Sequence, residues 1–292
     1  MRAFEYHAPA SLDEAIALLQ QHGESARPLA GGTDLVVQMK EGATKFPLPS
    51  HLVSLLRVPE LRGIEFSESD GLRVGAGATM MEIAESPLIR ERYTAIAEGA
   101  ALVGSVQTMN MATIGGNICN AAPSAEIAPP LLALEAEAVI VGPAGRRTLP
   151  LEGFFLGPGK TVLALDDLLA EVRAPVPPAG TGSAYVRHTP RKQMDIAVVG
   201  AGVALTIAGQ RIERARVALG AVAPTPVRAR KTESLLEGQS ASDELFARAA
   251  ESAAAECSPI SDVRGSAEFR RHIVRVTTQR MFRLAAERAK GA

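Results

Sequence analysis

Two pairs of adjacent glycines, each flanked by short polar side chains, are the residues best suited to chemistry in this 292-residue chain. In "AGGTDL", Gly31 and Gly32 precede Thr33 and Asp34; in "ATIGGNICNAAPSAEIAPP", Gly115 and Gly116 lie between Thr113 and Asn117. Successive exposed backbone N–H groups can form a nest for the oxygens of an anionic group such as phosphate. Either run alone reads equally well as a structural turn, since Gly, Asn, Asp and Ser favour turns for local conformational reasons. Taken together, two backbone cradles with polar flanks suit a long ligand with a diphosphate in its middle, although two unrelated turns remain open on physics alone. Ser124 and Glu126 stand just before the apolar pattern "IAPPLLAL", where an acid suits sugar hydroxyls as an acceptor and does not suit phosphate.

Other chemistry-bearing residues point to less. "GAGATM" and "VGAGVAL" lack the third glycine of a dinucleotide fingerprint and read as strands that pack closely against other backbone. The histidines, His7, His22, His51, His188 and His272, have no spacing that suggests a metal site, so surface or packing roles are expected. Cys119 and Cys257 are the only cysteines, too few for a disulfide framework or an iron–sulfur cluster held within this chain. No Ser-His-Asp arrangement can be read from the sequence.

The elements that must position the glycine runs alternate between short strands and helices. "SLDEAIALLQQHG" has Ser11 as N-cap, Glu14 at the capping-box position, apolar residues at helical spacing and Gly23 as its stop. "RPLAG" and "HLVSLL" read as strands, and Asp70-Gly71 marks a hairpin between "GIEFSES" and "LRVGAGA". Helical patterns follow in "TMMEIAES" and "LIRERYTAIAEGAALV", then a hairpin around Gly142 to Gly145 and a strand in "DDLLAEVRAP" ended by Pro175. The Pro/Gly cluster "APVPPAGTGS" is the best domain boundary. Beyond it, three strand patterns and a helical tail from about Thr232 to Lys290 predict a smaller α+β domain, a strand layer covered by helices.

Composition excludes several classes of function. The 31 Lys and Arg residues nearly balance 32 Asp and Glu residues, so no global field favours nucleic acid. The N-terminal region has no signal-peptide core, and no stretch approaches the roughly 18 apolar residues of a membrane helix. The expected location is the cytoplasm, and 47% hydrophobic content is enough for sizeable cores.

"AGGTDLVVQMKEG", "ATIGGNICNAAPSAEIAPPLLAL", "DDLLAEVRAP" and "YVRHTPRKQMDIAVVGAGVAL", in this order, resemble the FAD-binding medium subunit of the molybdenum hydroxylases, the carbon monoxide dehydrogenase and xanthine dehydrogenase family. The resemblance covers nearly the whole chain. It implies an α+β fold: a FAD domain of the vanillyl-alcohol-oxidase (PCMH) type over 1–176, with subdomains of about 1–57 and 58–176, then a small α+β domain over 182–288. It also implies non-covalent FAD held by Leu29, Ala30, Gly31, Gly32, Thr33, Asp34 and Leu35, continuing to Val37, and by a second loop of Thr108, Ala112, Thr113, Ile114, Gly115, Gly116 and Asn117. Ser124, Glu126 and Leu169 complete the expected contacts, with Arg187 at a position where the family has lysine. Glu126 replaces the usual aspartate, Val103 falls where some relatives have an aromatic, and Met109 where an arginine is common. The implied activity is electron transfer within an oxidoreductase, from [2Fe-2S] clusters of a small subunit through FAD to an external acceptor. Substrate would be oxidised on a large molybdopterin subunit, in a dimer of heterotrimers. A free-standing flavin reductase or oxidase, and a non-catalytic protein that has lost FAD, are the alternatives.

Overall fold

A computed structural model describes residues 3–42 and 47–291. The chain opens with β1 (Glu5–His7), α1 (Leu12–His22), β2 (Ala26–Leu29), α2 (Leu35–Glu41) and β3 (His51–Ser54). The three strands form a parallel sheet in the order β1-β3-β2. Ser11 caps α1 by accepting from the Glu14 N–H, and Gly23 ends it with φ +50°. The Glu14 carboxylate accepts from the Ala10 N–H at 2.8 Å, one residue before the cap.

An antiparallel sheet follows, in the order β4-β5-β10-β6-β7. Its strands are β4 (Ile64–Ser67), β5 (Gly71–Gly75), β6 (Glu137–Gly142), β7 (Gly145–Pro150) and β10 (Leu168–Ala174), with the small hairpin β8 (Phe155–Gly157) and β9 (Lys160–Thr161) beside them. Between β5 and β6 lie α3 (Met80–Glu85), α4 (Pro87–Arg92), α5 (Thr94–Ala101), α6 (Val106–Met109), α7 (Ile114–Asn120) and α8 (Ala128–Ala133). The pattern that reads as one helix in "LIRERYTAIAEGAALV" is two helices, broken at Tyr93. Tyr93 is fully buried and its hydroxyl donates to the Pro175 carbonyl at 3.1 Å, so tertiary packing overrides helical periodicity there.

The third sheet is β11 (Thr181–His188), β12 (Val199–Ala208), β13 (Arg211–Gly220) and β14 (Val227–Arg228), also antiparallel. The near-continuous apolar run of β12 is explained by burial on both faces. Helix α11 (Ala267–Ala289), backed by α10 (Asp243–Ala255), covers one side; α5 and α8 contact the sheet as well, and α9 (Arg230–Leu236) packs on β13. Close approach needs glycine: a Cβ on Gly202 would meet the Pro129 carbonyl carbon at 2.9 Å, and one on Gly182 the Ala285 oxygen at 2.1 Å. The buried core forms two clusters. One runs from Leu12 to Ala174 and reaches Tyr185, Ala204 and Ala218; the other fills the space between the third sheet and the C-terminal helices. No helix among the described residues is long and apolar enough to cross a membrane.

Candidate cofactor site

Both glycine runs open onto one cavity of about 460 Å³, within the roughly 300–1,000 Å³ of small-molecule sites. The first run links β2 to α2, so the strand end delivers Ala30 to Asp34 to the cavity wall. The second lies at the start of α7, where Thr113 is the N-cap. The runs touch: a Cβ on Gly31 would lie 1.7 Å from the Met111 carbonyl oxygen, so only glycine lets the loops meet backbone to backbone. Gly32, at φ +72°, makes the turn that starts α2.

The two glycines of the second run have different jobs, which corrects the expectation that both expose free amides. The Gly115 N–H donates to the Ala76 carbonyl at 2.9 Å, and the Gly116 N–H donates to Thr113 Oγ1 at 3.0 Å. A Cβ on Gly115 would meet Ala76 at 2.7 Å, whereas one on Gly116 would meet only Thr113 Oγ1, at 3.1 Å. Gly115 therefore permits packing, and Gly116 leaves room in the cavity. Asn117, which also lines it, has its side-chain oxygen Oδ1 buried without a hydrogen-bond partner among the described residues. A buried polar atom of this kind is costly unless a ligand or water satisfies it.

Most of the expected residues converge on this cavity. Leu29, Ala30, Gly31, Gly32, Thr33, Asp34, Leu35, Val103, Thr108, Ala112, Thr113, Gly115, Gly116, Asn117, Ser124, Glu126 and Leu169 line it. Ile114, Val37 and Arg187 do not. Ile114 is fully buried in the core and its N–H donates to the Ala78 carbonyl, while Val37 is exposed on α2. Arg187 stands behind Glu126: its Nη1 pairs with Glu126 Oε1, and Nη2 donates to the Lys192 carbonyl at 3.2 Å. Burial pushes the Glu126 carboxyl above its ordinary value, and the Arg187 guanidinium opposes that shift. Leu168 and Leu169, adjacent on β10, both reach the cavity beside a register shift, consistent with a bulge re-aiming side chains.

Several lining residues were not anticipated. Ala76 and Gly77 come from "GAGATM", whose close backbone packing against Leu61 is as expected but whose place in the wall was not. Arg62 lines the cavity and is anchored by donating to the Leu56 carbonyl at 3.0 Å and the Gly77 carbonyl at 3.3 Å. Asp167 accepts a bidentate pair from Arg147 at 3.0 and 2.6 Å, which holds its carboxyl below the usual range. Cys119 lines the cavity in a desolvating environment that pushes its thiol up to about 12, so it is protonated at neutral pH. No histidine, lysine or tyrosine is among the described residues of the wall.

A two-lobed chain of this architecture, with a glycine-built cavity between its first two sheets, defines a cofactor-binding protein, and the comparisons specify which. The profile of the FAD binding domain in molybdopterin dehydrogenase matches residues 2–177, and that of the CO dehydrogenase flavoprotein C-terminal domain matches residues 184–285. The chain belongs to the FAD-binding medium subunits of the molybdenum hydroxylases, of carbon monoxide dehydrogenase and xanthine dehydrogenase type. It is 40% identical over 267 residues to the carbon monoxide dehydrogenase medium chain of Hydrogenophaga pseudoflava, covering 91% of each chain. It is 33% identical to a putative xanthine dehydrogenase FAD-binding subunit of Escherichia coli, over 98% of this chain and 97% of that one. A solved structure of carbon monoxide dehydrogenase from Hydrogenophaga pseudoflava superposes with a TM-score of 0.93 at 38% identity, covering 98% of both chains. The chain is thus an oxidoreductase subunit with FAD as its cofactor.

The residues present fit that group. Glycine-lined walls, an unsatisfied Asn117 Oδ1, and apolar Val103, Leu168 and Leu169 offer polar and apolar surface for the two kinds of moiety in a flavin dinucleotide.

Proposed function

We propose that this chain is the electron-transfer flavoprotein component of a multi-subunit molybdenum hydroxylase. Electrons would come from [2Fe-2S] clusters in a small partner subunit and leave to an external acceptor, after substrate oxidation on a large molybdopterin subunit. Bound FAD supplies a redox centre that exchanges electrons singly or in pairs, so it suits the junction between one-electron clusters and a two-electron acceptor. The observation that carries the reading is the shared cavity of the two glycine runs in a chain with only two cysteines, neither able with the other to hold a cluster.

On this reading residues 1–176 form the FAD-binding unit and residues 182–288 the C-terminal unit. Ala30 to Leu35 follow the diphosphate, and Thr113, Gly116 and Asn117 form the facing wall. Ser124 and Glu126 meet hydroxyls of the ligand, with Arg187 acting on Glu126 as a positioning residue. Val103 and Leu169 exclude water beside the ring. Leu56 and Ile196 line the cavity yet are each 48% exposed, giving its mouth an apolar rim suited to a subunit contact. The assembly is a cytoplasmic dimer of heterotrimers.

A self-sufficient flavin reductase would need a proton donor or acceptor of its own in the cavity. Among the acids that line the cavity, Glu126 and Asp167 pair with arginines, Asp195 accepts from the Arg191 and Ile196 N–H groups, and Asp34 lies in the first glycine run; the Cys119 thiol is raised. Native purification tests the proposal. Co-elution with a molybdenum subunit and an iron–sulfur subunit, and flavin reduction by the joint substrate only in the complete assembly, is the expected result. A yellow protein that turns over alone with a small substrate would refute it.

A further inference from the structure

Away from the cavity, the fold gathers three histidines that the sequence scatters. His7 ends β1, His22 ends α1 and His51 opens β3. In the parallel pairing of β1 with β3, Glu5 lies opposite His51. Since side chains alternate along a strand, Glu5, His7 and His51 share one face of the sheet. Helix α1 packs on β2 and β3 and sets His22 beside them.

The ligand nitrogens of the three imidazoles lie within 4.8 Å of one another, the only such histidine, cysteine or carboxylate group among the described residues. His7 Nε2 and His51 Nδ1 are 3.2 Å apart, close to the nitrogen–nitrogen edge of about 3.3 Å that tetrahedral zinc with Zn–N bonds of about 2.0–2.1 Å requires. The His22 ring stacks on His51 with centroids 3.8 Å apart. Imidazole lone pairs lie in the ring plane, so coordination would turn the His22 ring out of this stack toward the other two. Glu5 Oε2 lies 3.5 Å from His51 Nδ1 and 3.9 Å from His7 Nε2, adding a negative charge beside the cluster. All three imidazoles are half-buried, which leaves an entry path.

We propose that His7, His22 and His51 form a binding site for one borderline divalent transition-metal ion of the zinc class, with the Glu5 carboxylate beside it. Three imidazoles favour such ions over magnesium or calcium, which prefer all-oxygen ligand sets.

None of the three histidines lines the flavin cavity, although its wall extends along the same strand to Arg27. In the β2–β3 pairing, Ala26 opposite His51 marks one end, and Leu29 opposite Ser54, where the glycine run begins, marks the other. Those ends are about 10 Å apart at roughly 3.3 Å per residue. The ion would clip together the β1, α1 and β3 junction.

Titration of the tag-free, flavin-loaded full chain, stripped of metal by a chelator, tests the site with zinc chloride as the probe and magnesium chloride as the control. One zinc per chain, no magnesium uptake and a higher melting temperature in zinc than in chelator are expected. His22→Gln and His51→Gln should each weaken zinc binding by at least about 100-fold, and Glu5→Gln by about tenfold, while His188→Gln leaves it unchanged. Zinc-edge X-ray absorption on the unmodified protein should find three imidazoles around the metal, a readout that no misfolded variant can confuse. Fewer than three imidazoles, no saturable uptake, or zinc affinity in His22→Gln and His51→Gln equal to that of the unmodified protein overturns the assignment.

Discussion

Replacing Gly116 with valine separates cofactor binding from folding. The position is the third residue of α7, and an ideal Cβ there meets only Thr113 Oγ1, at 3.1 Å, so the hydroxyl must yield by a few tenths of an ångström. Valine and glycine differ by under about 0.5 kcal/mol in helix propensity, so the flavin-free protein should melt within about 2 °C of the unmodified one. The added isopropyl group occupies space at the cavity wall. Overpacking of this kind typically costs about 1–3 kcal/mol, here directed at the bound cofactor, which corresponds to FAD binding weakened by roughly 10- to 100-fold. Flavin present at about 100 times its dissociation constant stabilises a protein by about 2.7 kcal/mol. The variant should therefore lose about half to most of that increment, several degrees of the flavin-dependent rise in melting temperature. Fluorescence titration of FAD into the stripped protein measures the affinity, and paired thermal melts measure the increment. Unchanged affinity with unchanged apo stability would refute the assignment of this wall to the flavin.

The same structure sets other expectations. Gly31→Ala places a Cβ on the Met111 carbonyl, so the loops must separate and stability should fall by about 3 kcal/mol or more, with or without flavin, in a denaturant melt. Arg187→Met leaves Glu126 buried without its guanidinium and so raises its folded pKa further above the unfolded value. An acid with a raised folded pKa is stabilising while protonated and loses that contribution as pH rises. The variant's deficit should thus grow from about pH 5 to pH 8 toward roughly 3–5 kcal/mol, as read by urea melts. Arg147→Met removes the partner that depresses Asp167. The unmodified pair contributes only above the ordinary carboxylate range and is lost as pH falls through it; with Arg147 half exposed, the deficit near neutrality should be about 1 kcal/mol and vanish in acid. Cys119, with a thiol pushed up to about 12, should react slowly with iodoacetamide at neutral pH, and more slowly still with FAD bound.

How much of this was legible depended on whether the signal was local. Ser11, Gly23, Asp70-Gly71 and the apolar run of β12 encode their structures within a few residues, and the corresponding elements form as expected. The cavity was legible because glycine pairs announce close backbone approach wherever they fall. Their individual roles were not, since Gly115 and Gly116 look alike until Ala76 is seen to occupy one amide and Thr113 the other. Arg62 and Asp167 carried no signal of their own, because what fixes them in the wall is an anchor elsewhere: the Leu56 and Gly77 carbonyls for one, Arg147 for the other.

Arg187 shows the same limit in the opposite direction. Its position in the chain matched a residue expected at the cofactor, yet Glu126 and the Lys192 carbonyl engage its Nη groups, while its Nε is buried without a partner among the described residues. A shorter aspartate at position 126 would stand one methylene farther from that arginine. The test is a double-mutant cycle: if the pair sets the wall as a unit, Arg187→Lys weakens FAD binding in the unmodified background and much less once Glu126→Asp is in place. Double-mutant coupling near zero in FAD affinity would show the two residues acting independently and would remove Arg187 from any role at the cofactor.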